Sequence, residues 1–466
     1  MILTLLRKTF SYWSRYGLKN TIKKILYRSR QTKDYEVWRK AHVPSGKELK
    51  AQREKSFLEE PLFSVVIPLY QTREIYLRSI VQSLQAQTYG NFEICFSDGS
   101  PIEDRSAIRS VIEELMNQDD RIRYIDKSEN ALGISENTNQ ALSIASGEYI
   151  VLGDHDDLYE PNALYECVKL INEAADSVDV IYTDEDKVDE AGKKYMAPFY
   201  KPDFDIDYLR SVNYICHMFV FSRRIYDKIG GFRSEYNGAQ DYDFILRCTE
   251  KASRIEHIAK ILYHWRIHEQ STAADPRNKM YCYESAKRAL EAHYKRLNIE
   301  AEVEFSDVLG FYRVKYPVKG NPLVSIVIPN KDEREVLKKC IDSIMNKSTY
   351  TNYEIVIVEN NSETADIFDY YSELENNNKI RVVKYEGEFN YSRINNFGVA
   401  ASRGEYLILL NNDTEVISEN WIEGLLSNCQ REEVGVVGAK LLYPNDTIQH
   451  AGVVVGLGGI AGHTFV

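Results

Sequence analysis

The sequence predicts an α/β protein with a mostly parallel sheet flanked by helices, duplicated along the chain, the second copy incomplete. Three observations carry this reading. The apolar runs Phe63 to Leu69, Phe92 to Ser97 and Tyr149 to Leu152 lack polar alternation, as strands hidden on both faces must. Helical patterns separate them: Leu77, Ile80, Val81 and Leu84 keep the i, i+3, i+4, i+7 spacing of one helix face. The order then recurs. VSIVIP at 324–329 answers SVVIP at 64–68, TNYEI at 351–355 answers GNFEI at 90–94, and RGEYLILLNNDT at 403–414 answers SGEYIVLGDHDD at 146–157.

Taken in order, residues 1–33 hold nine of the 58 Lys and Arg residues and no acidic one. With Ile2, Leu3, Leu5, Leu6, Phe10, Trp13, Ile22, Ile25 and Leu26 they suit either an anionic membrane surface or a helix packed on the following domain. Arg7 and Lys8 interrupt the first apolar run too early for a signal peptide, and no stretch is long enough to span a bilayer. A cytoplasmic protein, peripheral at the inner membrane face, is expected.

Residues 34–62 read as helix or linker. From Phe63, strands at 63–69, 92–97, 121–125 and 148–153 alternate with helices at 77–84, 103–116 and 134–146. A helix at 161–175 and a strand at 178–182 follow, the strand ending in an acidic turn, Asp184-Glu185-Asp186. An aromatic strand, Tyr214 to Phe221, and a charged helix at 278–298 close the domain. The expected organisation is a basic leader and linker at 1–62, a complete domain at 63–300, a linker at 301–322 and a truncated second copy at 323–466. The second copy lacks a counterpart of 200–272, so the sequence reads as a truncated product or a fragment.

At 466 residues, 44% hydrophobic and 27% charged, the chain is ordinary globular material. Its net charge of −12 argues against nucleic-acid binding, which needs a basic face. The seven cysteines make no metal-binding spacing, and an odd number does not build a disulfide framework.

The chemistry centres on GEYIVLGDHDD, 147–157. Asp154 and Asp156 follow a buried strand, at the rim where open α/β sheets bind ligands. Two hard oxygen donors one residue apart suit Mg²⁺ or Mn²⁺ shared with substrate phosphates. The same spacing occurs at 184/186, 203/205, 205/207 and 241/243, but only the 154/156 pair directly follows a buried-strand signal. The competing reading is a solvated, helix-capping cluster. Asp98 also follows a strand end and can converge on the same rim.

In order, FSVVIP, SDGS, GEYIVLGDHDD, GGF, AQDYD and HWRIH resemble glycosyltransferase family 2, the inverting enzymes of GT-A fold. YTDEDK, FYKPDFD and YHWRIHEQSTA are similar to segments of two-domain bacterial enzymes of O-antigen, capsule and rhamnose-containing polysaccharide synthesis. The resemblance implies that Asp98 hydrogen-bonds a nucleotide base, Asp154 meets ribose or metal, and Asp156 holds the metal on the diphosphate. It makes Asp241 the base that deprotonates the acceptor hydroxyl, where the residue-level alternative is a charge favouring the start of a helix. His268 falls where relatives contact metal or diphosphate, and Trp265, Arg266, Ser271 and Thr272 read as a flexible lid beside it. Ser97 and Gln240 depart from the family's usual acidic residues.

The second copy keeps Glu359, Asn360 and Asp413 but has Asn411 and Asn412 in place of Asp154 and His155, so donor binding at most is expected there. The implied activity is metal-dependent transfer of a sugar from a UDP- or dTDP-sugar to a growing cell-surface polysaccharide or lipid-linked glycan. The alternative is a noncatalytic glycan-assembly scaffold. A sugar nucleotidyltransferase would carry a Gly-rich basic phosphate loop, which SVVIPLYQT does not supply.

Overall fold

A computed structural model of the chain describes residues 32–126, 130–268, 280–455 and 461–463. It divides into two compact units between Val314 and Lys315. Most of the basic leader, 1–31, and the lid residues Ser271 and Thr272 lie outside the described residues.

The first unit begins with helices α1 (32–42) and α2 (Gly46–Arg53). Then come β1 (Phe63–Leu69), α3 (Glu74–Gln85), β2 (Phe92–Asp98), α4 (Arg105–Gln118), β3 (Ile122–Ile125), α5 (Ile134–Leu142) and β4 (Tyr149–Leu152). After β5 (Leu158–Tyr159) and α6 (Ala163–Glu173) follow β6 (Val180–Val188), β7 (Tyr195–Phe199), α7 (Ile206–Ser211), β8 (Phe219–Ser222), α8 (Arg223–Ile229), α9 (Gln240–Lys251) and β9 (Ile255–Arg266). Helix α10 (Met280–Leu297) and a hairpin of β10 (Glu302–Phe305) and β11 (Tyr312–Lys315) complete the series; the hairpin lies within the stretch 301–322.

One sheet carries all nine strands before α10, in the order β3-β2-β1-β4-β8-β6-β9-β5, with β7 on β6. The half β3-β2-β1-β4 is parallel, as its unbroken apolar runs require. β8 then joins β4 to β6 antiparallel to both. On α3 the expected face, Leu77, Ile80, Val81 and Leu84, is buried against the sheet. Each such side chain contributes about 1.5–3 kcal/mol of transfer free energy.

Two expectations need correction. The strand expected to stop at 182 runs on to Val188, and Asp184, Glu185 and Asp186 lie inside it, buried, instead of forming a terminal turn. Carboxylates persist there because each has a partner: His257 for Asp184, Lys201 for Glu185 and His264 for Asp186. The aromatic strand expected from Tyr214 starts only at Phe219. Before it the backbone turns through a positive φ of 41° at Cys216, and Lys201 Nζ takes the carbonyls of Ile215 and His217 away from any ladder.

Just beyond the basic leader, the stretch expected as helix or linker begins with a packed helix. On α1, Tyr35 is buried and donates to Asp186 Oδ2 at 2.5 Å, while Arg39 pairs with Glu160 at 2.5 Å and lies 3.6 Å over the Tyr195 ring. Between those carboxylates sits buried His264, 2.6 Å from Asp186 and 3.0 Å from Glu160. Burial works to lower its imidazole, but the two acids outweigh that and raise it. Arg39→Ala should lower the unfolding free energy by about 1–3 kcal/mol, because it strips a buried carboxylate of a charged partner. A shifted denaturant midpoint at unchanged slope would be the sign.

At the N-terminal end of the strands a small lock holds the sheet. Ser64 Oγ donates to Glu93 at 2.6 Å and accepts from Gly147 N at 2.7 Å. A Cβ on Gly147 would stand 2.6 Å from the Leu62 carbonyl, so only glycine lets β4 enter beside β1 here.

The second unit repeats the parallel half. It contains β12 (Val324–Asn330), α11 (Arg334–Lys347), β13 (Tyr353–Glu359), α12 (Ala365–Leu374), β14 (Ile380–Lys384), α13 (Tyr391–Ala401), β15 (Tyr406–Leu409) and α14 (Trp421–Cys429). The sheet order is β14-β13-β12-β15, parallel throughout. The same lock recurs: Ser325 Oγ donates to Glu354 at 2.7 Å and accepts from Gly404 N at 2.8 Å.

Candidate functional site

The rim at the carboxyl ends of β1, β2 and β4 collects the acids singled out in the sequence. Asp98 ends β2 and is fully buried. Its Oδ1 accepts from Ser100 N at 2.9 Å, while Oδ2 is buried without a hydrogen-bond partner. Such an oxygen is costly unless a ligand donor reaches it.

Asp154 lies two residues beyond β4 with its side chain half exposed. Its backbone N–H donates to Tyr263 Oη at 3.0 Å, and its Oδ2 stands 3.4 Å from His217 Nε2. Desolvation in the cleft opposes ionisation of Asp154, but the neighbouring imidazole overrides it and holds the carboxyl below its ordinary value. In return, burial works to lower His217 while Asp154, with Asp157 and Glu185 behind it, pushes the imidazole up to about 9. Asp156 takes a different partner, His268 Nε2, at 2.6 Å. The two sequence-predicted ligands therefore sit in one loop with a histidine on each.

Asp241 stands in the first turn of α9 and accepts from Asn213 Nδ2 at 2.9 Å. Burial raises its carboxyl above the usual range; His217 pulls it down and Asp154 pushes it up, so the three groups share one electrostatic environment. Gln240, ahead of it, accepts from Gly238 N at 2.9 Å and braces the turn into the helix.

The model for "Glycosyl transferase family 2" matches residues 64–230 and 325–453. The chain belongs to glycosyltransferase family 2. A match in each unit accords with the duplicated α/β fold, and the family's fold class, GT-A, is the one expected from the sequence. The chain is 42% identical to an uncharacterized protein, y4gI, of Sinorhizobium fredii over 86% of its own length and 44% of that protein's. It is 35% identical to the O-antigen biosynthesis protein RfbC of Myxococcus xanthus over 93% of its own length and 33% of that protein's. It thus spans less than half of either relative. Among solved structures, residues 1–349 of TarS from S. aureus with UDP-GlcNAc superpose on 51% of the chain and 68% of that structure at a TM-score of 0.42 and 21% identity.

Within this family 2 domain Asp154 and Asp241 lie within electrostatic reach of His217, Asp156 on the Asp154 loop meets His268 from beyond β9, and Asp98 stands at the end of β2. Sequence reasoning passed over His217, which lies in a segment read as plain strand; a lone histidine in YICHMFV carries no signal. It also passed over Asp157, which is fully buried, accepts from Tyr263 Oη at 2.6 Å and from Arg266 N at 2.7 Å, and is pushed well above the carboxylate range by burial and by Asp156 and Asp154. Asp154, Asp157 and His217 are the residues whose ligand atoms come close enough to share an ion among the described residues. Arg266, expected in a lid, is corrected: it is buried at the end of β9, donates Nε to the Asp156 carbonyl and Nη1 to the Glu190 carbonyl at 2.8 Å, and so holds the aspartate loop from below. His155 is half-buried, with Nδ1 enclosed and unpaired.

The second unit reproduces part of this rim. Glu359 ends β13, accepts from Ser362 N at 2.6 Å, and leaves Oε2 buried and unpartnered, as Asp98 does. Asn412 donates to Asn330 at 2.7 Å, Asn411 accepts from Tyr391 at 3.1 Å, and Asp413 is exposed.

Proposed function

We infer that the first domain moves one sugar from a UDP- or dTDP-sugar, with inversion, to a growing cell-surface polysaccharide or lipid-linked glycan. The observation that supports this most is Asp241: a half-buried carboxyl held by Asn213, with desolvation raising its pKa, in electrostatic contact with the loop that carries Asp154. Single-step inversion needs a base opposite the leaving group, and a carboxylate of raised basicity serves that role. Asp98 Oδ2 would accept from a base N–H of the donor nucleotide, which meets its missing hydrogen bond.

The donor set fits Mg²⁺ or Mn²⁺. Asp154 and Asp156 are hard oxygen donors on a partly open loop, with His268 beside Asp156, or Asp157 and His217 beside Asp154, to complete a ligand set. Such an ion, when bound, neutralises charge on the departing diphosphate. The protein's own part is to present these oxygens through the Arg266 anchor and to hold Asp241 for the acceptor hydroxyl. The second domain, with Glu359 retained, is proposed to bind donor at most.

A panel of UDP-, dTDP- and GDP-sugars, each with Mg²⁺ or Mn²⁺, tests the reading by product. Nucleoside diphosphate should appear with glycan elongation. Pyrophosphate would mark a nucleotidyltransferase, and silence with every donor would favour the scaffold alternative.

Residues 1–31 are proposed to touch an anionic membrane, each basic side chain near the surface adding about 1 kcal/mol. Among the described residues no helix is long and apolar enough to cross a membrane. Removing 1–31, which spares the docked α1, should reduce binding to anionic liposomes and leave turnover on a free acceptor unchanged. Binding that persists at high salt or on neutral vesicles would count against the proposal.

A further inference from the structure

The acidic run at 184–186 holds no residue proposed above as ligand or base, and its middle member points to a role. Glu185 is buried in β6, and its Oε2 accepts from Lys201 Nζ at 3.1 Å and from His217 N at 3.3 Å. The Lys201 side chain is fully buried. Besides Glu185, its ammonium donates to the carbonyls of Ile215, at 2.6 Å, and His217. An ammonium carries three donors, so all three of its protons are used, two of them on one short loop.

That loop, 212–218, carries the partner of each half of the proposed reaction. Asn213 donates to Asp241, and His217 stands against Asp154. Its far end is fixed by the sheet, Phe219 pairing with Leu152 of β4. Its middle crosses a positive φ at Cys216 and closes no ladder, so the carbonyls held by Lys201 stand where strand bonds would otherwise be. Burying an ion pair is a poor source of stability, since desolvation offsets attraction. What such a pair does supply is a fixed geometry.

We propose that the Lys201–Glu185 pair is a positioning element that sets loop 212–218, and with it the relative placement of Asp154 at the donor and Asp241 at the acceptor. Lys201 and Glu185 touch no reacting atom. They act through Asn213 and His217, and the inference rests on the roles proposed above for Asp154 and Asp241.

The test is a double-mutant cycle on the full chain. Lys201→Met with Glu185→Gln removes both charges, avoids leaving one buried ion alone, and keeps an acceptor for His217 N. Backbone exchange should rise in 212–218 while the thermal transition and exchange in β1 and β2 stay close to wild type. The transfer rate should fall about 10- to 100-fold, the scale of a small misplacement of reacting groups. Asn213→Ala should lower the rate in the wild-type background and add little in the double variant, because the loop it acts through is already loose.

Wild-type exchange in 212–218, or an Asn213→Ala factor that is the same in both backgrounds, overturns the proposal. If the double variant does not fold, Lys201→Arg, which keeps the charge pair but not the compact ammonium that reaches both carbonyls, is held to the same readouts. A wild-type protein that transfers no sugar would refute the proposed function, and the exchange measurement would still decide whether the pair sets the loop.

Discussion

Asp241→Asn should reduce transfer by about 10²- to 10⁴-fold while donor binding stays within a small factor of wild type. The amide keeps the shape and the contact with Asn213 Nδ2 through its oxygen, but it cannot take a proton from the acceptor. Calorimetric titration with UDP and Mn²⁺, set beside single-turnover transfer, separates the two effects. Lost nucleotide binding would instead assign Asp241 to the architecture of α9. The same residue predicts the acid limb of the rate profile. As the proposed base, Asp241 would work only when ionised, so the rate should fall as pH drops through its pKa; burial raises that pKa, and the limb should lie above the ordinary aspartate value of about 4. In Asp241→Asn that limb should vanish with the activity.

Chelation should stop turnover, and Asp156→Ala should do nearly the same at ordinary metal concentrations. The proposed ion on the diphosphate would supply several kcal/mol of transition-state stabilisation, hence about a thousandfold or more in rate. Asp156→Ala also releases His268, whose Nε2 lies 2.6 Å from that carboxylate, so the variant removes one proposed ligand and unfixes another. Added Mn²⁺ at high concentration should restore part of the rate if the remaining side chains still hold the ion weakly. Full activity after both chelation and Asp156→Ala would show that the aspartate loop is not a metal site.

The parallel half of the fold was legible because it is written locally. FSVVIPL, FEICFSD and YIVL are mostly apolar and do not alternate, and Asp98 and Asp154 stand at or just after their ends. The duplication was legible for the same reason. The antiparallel half was not, because its determinants are distant in sequence. Asp184 reads as a turn until His257 is seen 73 residues away, and Asp186 until His264 and Tyr35 are found on it. Arg266 looked like a lid residue from its neighbours, yet its burial follows from carbonyls at Asp156 and Glu190 that no local pattern announces. His217 was invisible because its value to the site comes from Asp154, on another strand end.

The paired locks at Gly147 and Gly404 bear on ancestry. Serine, glutamate and glycine meet in the same way in both copies, with Cβ positions on Gly147 and Gly404 that would each come within 2.7 Å of a neighbouring backbone carbonyl. At the opposite end of the same strands the copies have parted, Asp154 against Asn411 and His155 against Asn412. The two halves therefore keep the same contacts at the rear of the sheet and differ at part of its rim. A duplicated gene of this kind can try new rim residues in one half without putting the folding of that half at risk.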